Sequence, residues 1–565
     1  MADGSLSTPI SIGGSEISRE LLDEMRQDLA QRRIRHGLSR LAEKARLFEE
    51  LSPDQEHAAA FVGYCAQWVD AGFRDAEVVS RLLARFPEET RADLPLVDYA
   101  HLRLAEGYLA GKEEALGPAV RHFEFVLGIE SALSGTKLVG AELVAAAHYW
   151  KANCHRKSGE YDEALASAIK GRQVALELGY YPMAAVIQAL EGWLLFQKGR
   201  SGEAFAALTE AEAVLRKTDD YITVGNILST YGRIDQADGR YEESVKRFAA
   251  AISEYAKVDP QHPNVARSLG NMAYVKRLMA RQLRRRIDAS AALRRQVNAA
   301  VGETARTPVA EIRARFEQLQ REALSHLDEA DAIFGKQRQR RGEGNLKITY
   351  GHIFHDNGDL DRAEEEAEGA YALGLQKEDF ILMARARLLG CMVENARLED
   401  DVLEDADQYG DASRHAGLAE RFGREAVECA KHTQNDYLLA RAYIWLGLTQ
   451  SNEYFNNLEE ARHSLNLAMS SMKADPFQPH WDDLKTLKTR VLRGGDIDET
   501  LRAWSQGAIG DKTFREIIEE FAELIIPKIW MREDRKIARV ARKLSISPKK
   551  VRRVLMRAGA LDHLT

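Results

Sequence analysis

GEYDEALASA from Gly159, GRSGEAFAAL from Gly199 and GRYEESVKRF from Gly239 align without a gap, forty residues apart. Each begins with Gly, has Tyr or Ser two residues later (Tyr161, Ser201, Tyr241), and has a small residue five after the glycine (Ala164, Ala204, Ser244). A fourth copy, GDLDRAEEEA, starts at Gly358, 119 residues after Gly239, so a further repeat sits between them. A period of 20–50 residues is the mark of a solenoid or array, and it is read before any single element is assigned. Glycine permits the tight turn between two helices, and small residues let the helices approach closely.

This pattern resembles the tetratricopeptide repeat, a helix pair with a small residue at its eighth position and Gly-x-Tyr at its turn. Tyr231–Gly232 and Tyr350–Gly351 supply the close-approach site of a first helix, and Ala363 and Ala370 the small residues of a second. Weaker copies pair Gly107 with Ala119, Leu389–Gly390 with Ala419 and Ala426 across an acidic stretch at 399–411, and Leu446–Gly447 with Ala461 and Ala468. The resemblance covers 95–475 and implies an all-α, TPR-like α-solenoid that binds a protein, peptide or small ligand. Forty residues per copy implies helices longer than the family's usual ones. Before the array, 18–94 reads as amphipathic helices forming an N-terminal cap. Residues 1–17 read as a flexible N-terminus.

One copy is split. Leu269–Gly270 suits a first helix and Ala323–Leu327–Ala330 its second, with 41 extra residues between them. The inserted stretch, 281–315, has nine Arg against three acids. It is compatible with helix until Pro308 interrupts. Arg281, Arg284, Arg285, Arg286, Arg294 and Arg295 form a second basic patch. It is either an arm for nucleic acid or an acidic protein, or a solvated helical hairpin with no partner.

The chain's end differs in pattern. After a linker at 476–512, TFREIIEEFAELIIPKIW places Phe514, Ile517, Ile518, Phe521, Leu524 and Ile525 on one apolar face. Pro527 is expected to end or kink that helix. Val540–Ala541 then belongs to a short helix closing at Leu544, Ser545–Ile546 to a turn, and Ser547–Pro548 to the start of a second helix, with Ser as N-cap and Pro at the first position. Val551, Val554 and Leu555 form that helix's buried side. Lys549, Arg552 and Arg553 share another face. This stretch, with the terminal AGAL, resembles the Fis-type helix-turn-helix of bacterial enhancer-binding regulators. The resemblance covers 513–560, within a C-terminal domain expected at 513–565. It departs at Ser545, where the family has Gly, and no GxxxxGK[ST] accompanies it. It implies a small C-terminal DNA-binding domain, with Ser547, Lys549, Lys550, Arg552, Arg553 and Arg557 facing DNA and the preceding apolar helix forming a homodimer. The plain alternative is a helical docking module with an ordinary basic surface.

Charge supports an end that meets a polyanion. The 565 residues sum to −8, whereas 532–557 carry eleven Lys/Arg and two acids, leaving −17 on the rest. Hydrophobic residues are 45% and charged residues 29%, enough for a core. Proline is scarce, 13 in the chain, which favours helix. Four cysteines without CxxC spacing argue against a disulfide framework or a thiolate zinc site. His352, His355 and Asp356 lie close in sequence, but HExxH is absent and the pair falls inside a repeat helix. We therefore expect no metal, no cofactor and no catalysis. No apolar run reaches the 18 residues of a membrane helix, and the N-terminus lacks the basic and apolar regions of a signal peptide, so a cytoplasmic location is expected.

The sequence thus points to a transcription regulator whose solenoid holds a partner and whose C-terminus binds DNA. The alternative is a protein–protein adaptor, possibly a subunit of a defence or stress-response complex, whose basic tail docks a partner or RNA.

Overall fold

The computed structural model describes residues 17–70, 76–130, 140–301, 308–337, 339–403, 409–452, 454–472, 478–494, 512–533, 535–558 and 560–561. Among these there are helices and no strands. Two compact units divide the chain, Met1–Leu487 and Lys488–Thr565.

Six helices open the first unit: α1 (Arg19–Ala30), α2 (Ile34–Glu43), α3 (Ala45–Glu50), α4 (Ala58–Asp70), α5 (Ala76–Leu83) and α6 (Glu88–Arg91). Helical hairpins follow. They are α7 (Leu96–Lys112) with α8 (Leu116–Gly128), α9 (Ala141–Ser158) with α10 (Tyr161–Glu177), α11 (Tyr181–Gln197) with α12 (Ser201–Leu215), and α13 (Tyr221–Ala237) with α14 (Tyr241–Ala256). Next come α15 (Pro263–Val301) with α16 (Pro308–Gln337), α17 (Arg340–Asn357) with α18 (Leu360–Gln376), α19 (Phe380–Leu403) with α20 (Tyr409–Lys431), and α21 (Asp436–Gln450) with α22 (Leu458–Ser471). The helix α23 (Gln478–Gly494) ends this run. The second unit holds α24 (Phe514–Arg532), α25 (Ile537–Lys543) and α26 (Pro548–Arg557).

The forty-residue repeat is the hairpin. Gly159, Gly199, Gly239 and Gly358 each follow a first helix with φ between 72° and 85°, a region open to glycine and strained for other residues. Ala164, Ala204, Ser244 and Ala363 are fully buried where paired helices cross. Ser244 also donates its Oγ–H to the Gly232 carbonyl at 2.7 Å, satisfying its hydroxyl within the interface. A Cβ at Gly192 would lie 2.7 Å from Leu208, so this crossing excludes even alanine without movement.

The 281–315 insertion lengthens both helices of one hairpin. The first, α15, reaches 39 residues and the second, α16, 30. Pro308 stands at the start of α16, where its missing N–H is harmless.

Three expectations are revised. Ile17, read as flexible terminus, is 3% exposed and belongs to the N-terminal core. Residues 478–494, read as linker, form α23, because Leu484, Leu487 and Val491 recur at helical spacing and are buried. Of the two outcomes expected at Pro527, ending the helix does not occur: the proline lies inside α24, which continues to Arg532.

The first unit also closes on itself. The Gln434 N–H donates to the Gly159 carbonyl at 2.8 Å, and Asn435 Nδ2 donates to the Tyr161 hydroxyl at 3.3 Å. Arg341 Nη1 donates to the Lys157 carbonyl at 2.7 Å, and Lys377 Nζ to the Glu113 carbonyl at 3.2 Å. Late repeats therefore touch early ones. The N-terminal helices join them: Asp219 accepts from the Ile34 and Arg35 N–H groups at 2.6 and 2.8 Å, at the start of α2, while Asp220 pairs with Arg32 at 2.7 Å. A cavity of about 60 Å³ remains behind this contact, lined by Arg26, Tyr64, Glu142 and Tyr180 among others.

Candidate functional site

The C-terminal unit is built around Ile526, Val540, Ala541, Val551, Val554 and Leu555, all buried. Ala541 lets α26 approach α25. The turn between them holds Ser545 at φ 53°, the left-handed conformation that glycine takes more cheaply. The Ile546 N–H then bonds back to the Ala541 carbonyl at 3.0 Å. Ser547 caps α26, its Oγ accepting from the Lys550 N–H at 3.2 Å, and Pro548 takes the first helical position.

Lys549, Lys550, Arg552 and Arg553 are exposed, as is Ser547. None of the four cations has an ion-pair partner among the described residues. Arg557 differs: it pairs with Glu519 at 3.0 Å and reaches Glu523 at 3.8 Å on α24. Its charge is therefore partly spent on holding α26 to α24. On α24, Phe514, Ile518 and Phe521 recur at helical spacing and are 77%, 45% and 48% exposed. Among the described residues this apolar face is left exposed.

The insertion's arginines do not form one open patch. Arg281 pairs with Asp483 at 3.1 Å and Arg285 with Asp482, both acids lying on α23. Arg284 sits over the Phe316 ring, 5.9 Å from its centroid. Arg286 is exposed. Arg294 and Arg295 fall on α15, with side chains outside the described ones. Acids supplied 202 and 197 residues away were invisible to a reading of the insertion by itself.

His352, His355 and Asp356 do share α17, but their chemistry is taken. Asp356 receives Arg277 Nε at 2.6 Å and Nη2 at 3.0 Å. Burial alone would raise the Asp356 pKa; Arg277 outweighs it and holds the carboxyl well below the usual range. Burial, then Arg277 and Arg441, push His352 far toward its neutral form. No group of three metal-ligating side chains occurs among the described residues. Among them, too, no helix is long and apolar enough to cross a membrane.

The sequence reading assigned nothing to arginines on the first helices of the hairpins: Arg156 (α9), Arg233 (α13), Arg267 (α15), Arg341 (α17) and Arg385 (α19). Of the five, Arg233 stands six residues before a turn glycine, a repeat position held by Asn153, Trp193 and His352 in other copies, so the register gave no signal for the other four.

Residues 143–217 match the tetratricopeptide repeat family. None of the curated proteins matches the sequence. Among solved structures, a Rap protein in complex with competence and sporulation factor is 12% identical, over 73% of this chain and 98% of that one, with a TM-score of 0.49. Yeast Tom70 is 12% identical over 86% and 98%, with a TM-score of 0.38. A monomeric IFIT1 mutant with m7Gppp-AAAA is 13% identical over 76% and 90%, with a TM-score of 0.37.

Proposed function

We propose that this protein is a regulator that holds a partner in its repeat array and contacts duplex DNA through its C-terminal helix-turn-helix. The observation that carries the DNA reading is α26. It is a short, N-capped helix with Lys549, Lys550, Arg552 and Arg553 exposed and without ion pairs among the described residues, set against α25 by a tight turn. A recognition helix presents its N-terminal residues to base edges in the major groove, and arginine suits guanine O6 and N7. Lysines near the helix start suit phosphate. One such helix reads few base pairs, so specificity calls for two copies. The exposed Phe514–Ile518–Phe521 face supports a second copy of this chain as the dimer partner.

The test is a fluorescence-anisotropy titration of the full chain against random duplex DNA at two salt concentrations. Binding that weakens steeply with salt, and that a Lys549→Ala/Arg553→Ala variant loses, supports this reading. Absence of binding at low salt overturns it.

A second reading rests on the repeats alone. Tetratricopeptide-type arrays present a concave surface for protein partners, and here the protein would be an adaptor whose basic tail docks an acidic partner or RNA. Capture of a partner by the array with the α26 cations removed, together with no DNA binding, favours it.

A further inference from the structure

Five arginines lie on five different first helices of the closed array, four of them half-buried and Arg267 exposed. Arg341 reaches the Lys157 carbonyl across the closure, which brings α17 against the end of α9, where Arg156 lies. Arg156 sits over the Trp193 ring, 5.1 Å from its centroid, and Trp193 packs edge-on against Tyr161 at 5.7 Å. The charges of Arg267 and Arg341 act on Arg156, and those of Arg385, Arg267 and Arg156 on Arg233. The five therefore form one electrostatic cluster.

Opposing charge is sparse. Arg341 meets Asp379 at 2.9 Å. Neither Arg156 nor Arg233 forms an ion pair among the described residues, and Arg233 has no hydrogen-bond partner there either. Burial first, and then these arginine neighbours, pull both guanidinium groups down to about 10. Lys157, at the same place, is pulled down to about 8 by burial and then by Arg156. By accessibility Arg156, Arg233 and Lys157 are half-buried; charge held partly out of water without a counter-ion is costly, and proteins retain it where something is to be bound.

The cluster is also held in position. Asn345 donates to the Arg341 carbonyl of its own helix at 2.8 Å and accepts from Arg385 Nη1 at 2.7 Å. Asn264 accepts from Arg267 Nη1 at 2.6 Å. Asn153 is tied to the Tyr149 carbonyl at 3.1 Å and lies 3.4 Å from Arg156 Nε. Asparagines that could have clamped a peptide backbone are engaged in orienting guanidinium groups. Forked donors fixed from several directions suit tetrahedral oxyanions bearing more than one charge.

We propose that the interior of the repeat array is a binding site for a small phosphorylated molecule with two or more phosphate groups, held by Arg156, Arg233, Arg341 and Arg385. The assignment does not depend on whether the C-terminal unit reads DNA.

Inorganic tripolyphosphate is the probe, titrated into the full chain by calorimetry with thermal melting in parallel. Submillimolar binding that raises the melting temperature is expected, with orthophosphate at least tenfold weaker. Arg233→Gln should melt no lower than the parent without the probe, since a repelled charge is removed, and should bind tripolyphosphate at least tenfold more weakly. Arg156→Lys keeps the charge, loses the fork, and should fall between. Lys549→Ala/Arg553→Ala should bind the probe like the parent even as it loses DNA. No heat and no melting shift would overturn the proposal. So would affinity unchanged in both Arg233→Gln and Arg156→Lys, or tighter binding of an oligoglutamate peptide than of tripolyphosphate, which would assign the interior to an acidic peptide.

Discussion

Gln434 donates its backbone N–H to the carbonyl oxygen of Gly159 at 2.8 Å, joining the loop before α21 to the turn between α9 and α10. The same glutamine's side chain accepts from the Asp162 N–H at 2.6 Å and donates to Glu163 at 2.8 Å. Gln434 thus makes three hydrogen bonds to the Gly159–Glu163 stretch, more than 270 positions earlier in the chain, and ties a late repeat to an early one.

Gly159 should be less replaceable than Gly358. Alanine at Gly358 meets open space and pays only for left-handed backbone, about 1–2 kcal/mol. Alanine at Gly159 pays the same and also places its Cβ 3.0 Å from Thr433 and 3.1 Å from Ile381, across the closure. Thermal melts should rank Gly159→Ala below Gly358→Ala. Equal melting temperatures would mean the closure yields at no cost.

Ser545 sits at φ 53°. Ser545→Gly should remove part of a strain of roughly 1 kcal/mol, offset by greater freedom of the unfolded chain. A net gain of about 0.5 kcal/mol is expected, read as slower hydrogen exchange at Val540 and Val551. Faster exchange would show that this serine contributes more than its backbone conformation suggests.

Ser547→Ala removes the side-chain acceptor of the Lys550 N–H. The loss should be about 1 kcal/mol, confined to the C-terminal unit. Hydrogen exchange in α26 should quicken while the repeats are unchanged.

Arg553→Ala and Lys549→Ala should separate by salt dependence. A base-contacting Arg553 would lose about 1–3 kcal/mol, and its loss would relax specificity. A phosphate-contacting Lys549 would weaken all sequences alike and lower the salt slope by about one. Anisotropy titrations at several salt concentrations decide, and no change from either substitution would move the recognition face elsewhere.

His101 makes the N-terminal core acid-sensitive. It is 3% exposed, and burial lowers its pKa to about 3 from an ordinary 6.5. The folded chain keeps it neutral while the unfolded chain takes up the proton. The stability it allows is complete above about pH 6.5 and declines as pH falls from there toward 3, by about 1.4 kcal/mol per unit. Melting between pH 7 and 5 should show this decline, and His101→Gln should flatten it. An unchanged slope in that variant would assign the acid sensitivity to other groups.

The hairpins were legible in the sequence because their causes are local. Gly159, Gly199 and Gly239 mark turns that need positive φ, and Ala164, Ala204 and Ser244 mark crossings that need small side chains. The Ser547–Pro548 helix start was legible for the same reason, since a cap and its N–H lie three residues apart. Residues 478–494 were misread because charged residues mask a three-residue apolar stripe whose partner surface the sequence does not show.

Sequence by itself determined that this chain is a helical repeat array ending in a small basic helical unit. Only the tertiary structure decided which charges remain available. Arg281 and Arg285 are answered by Asp483 and Asp482, and Arg557 by Glu519, whereas Arg156 and Arg233 form no ion pair among the described residues. The physical reason is range. Helix, turn and cap are fixed by neighbours within a few residues, but an electrostatic environment is set by distance in space, and here the closure at Gly159 and Gln434 sets it.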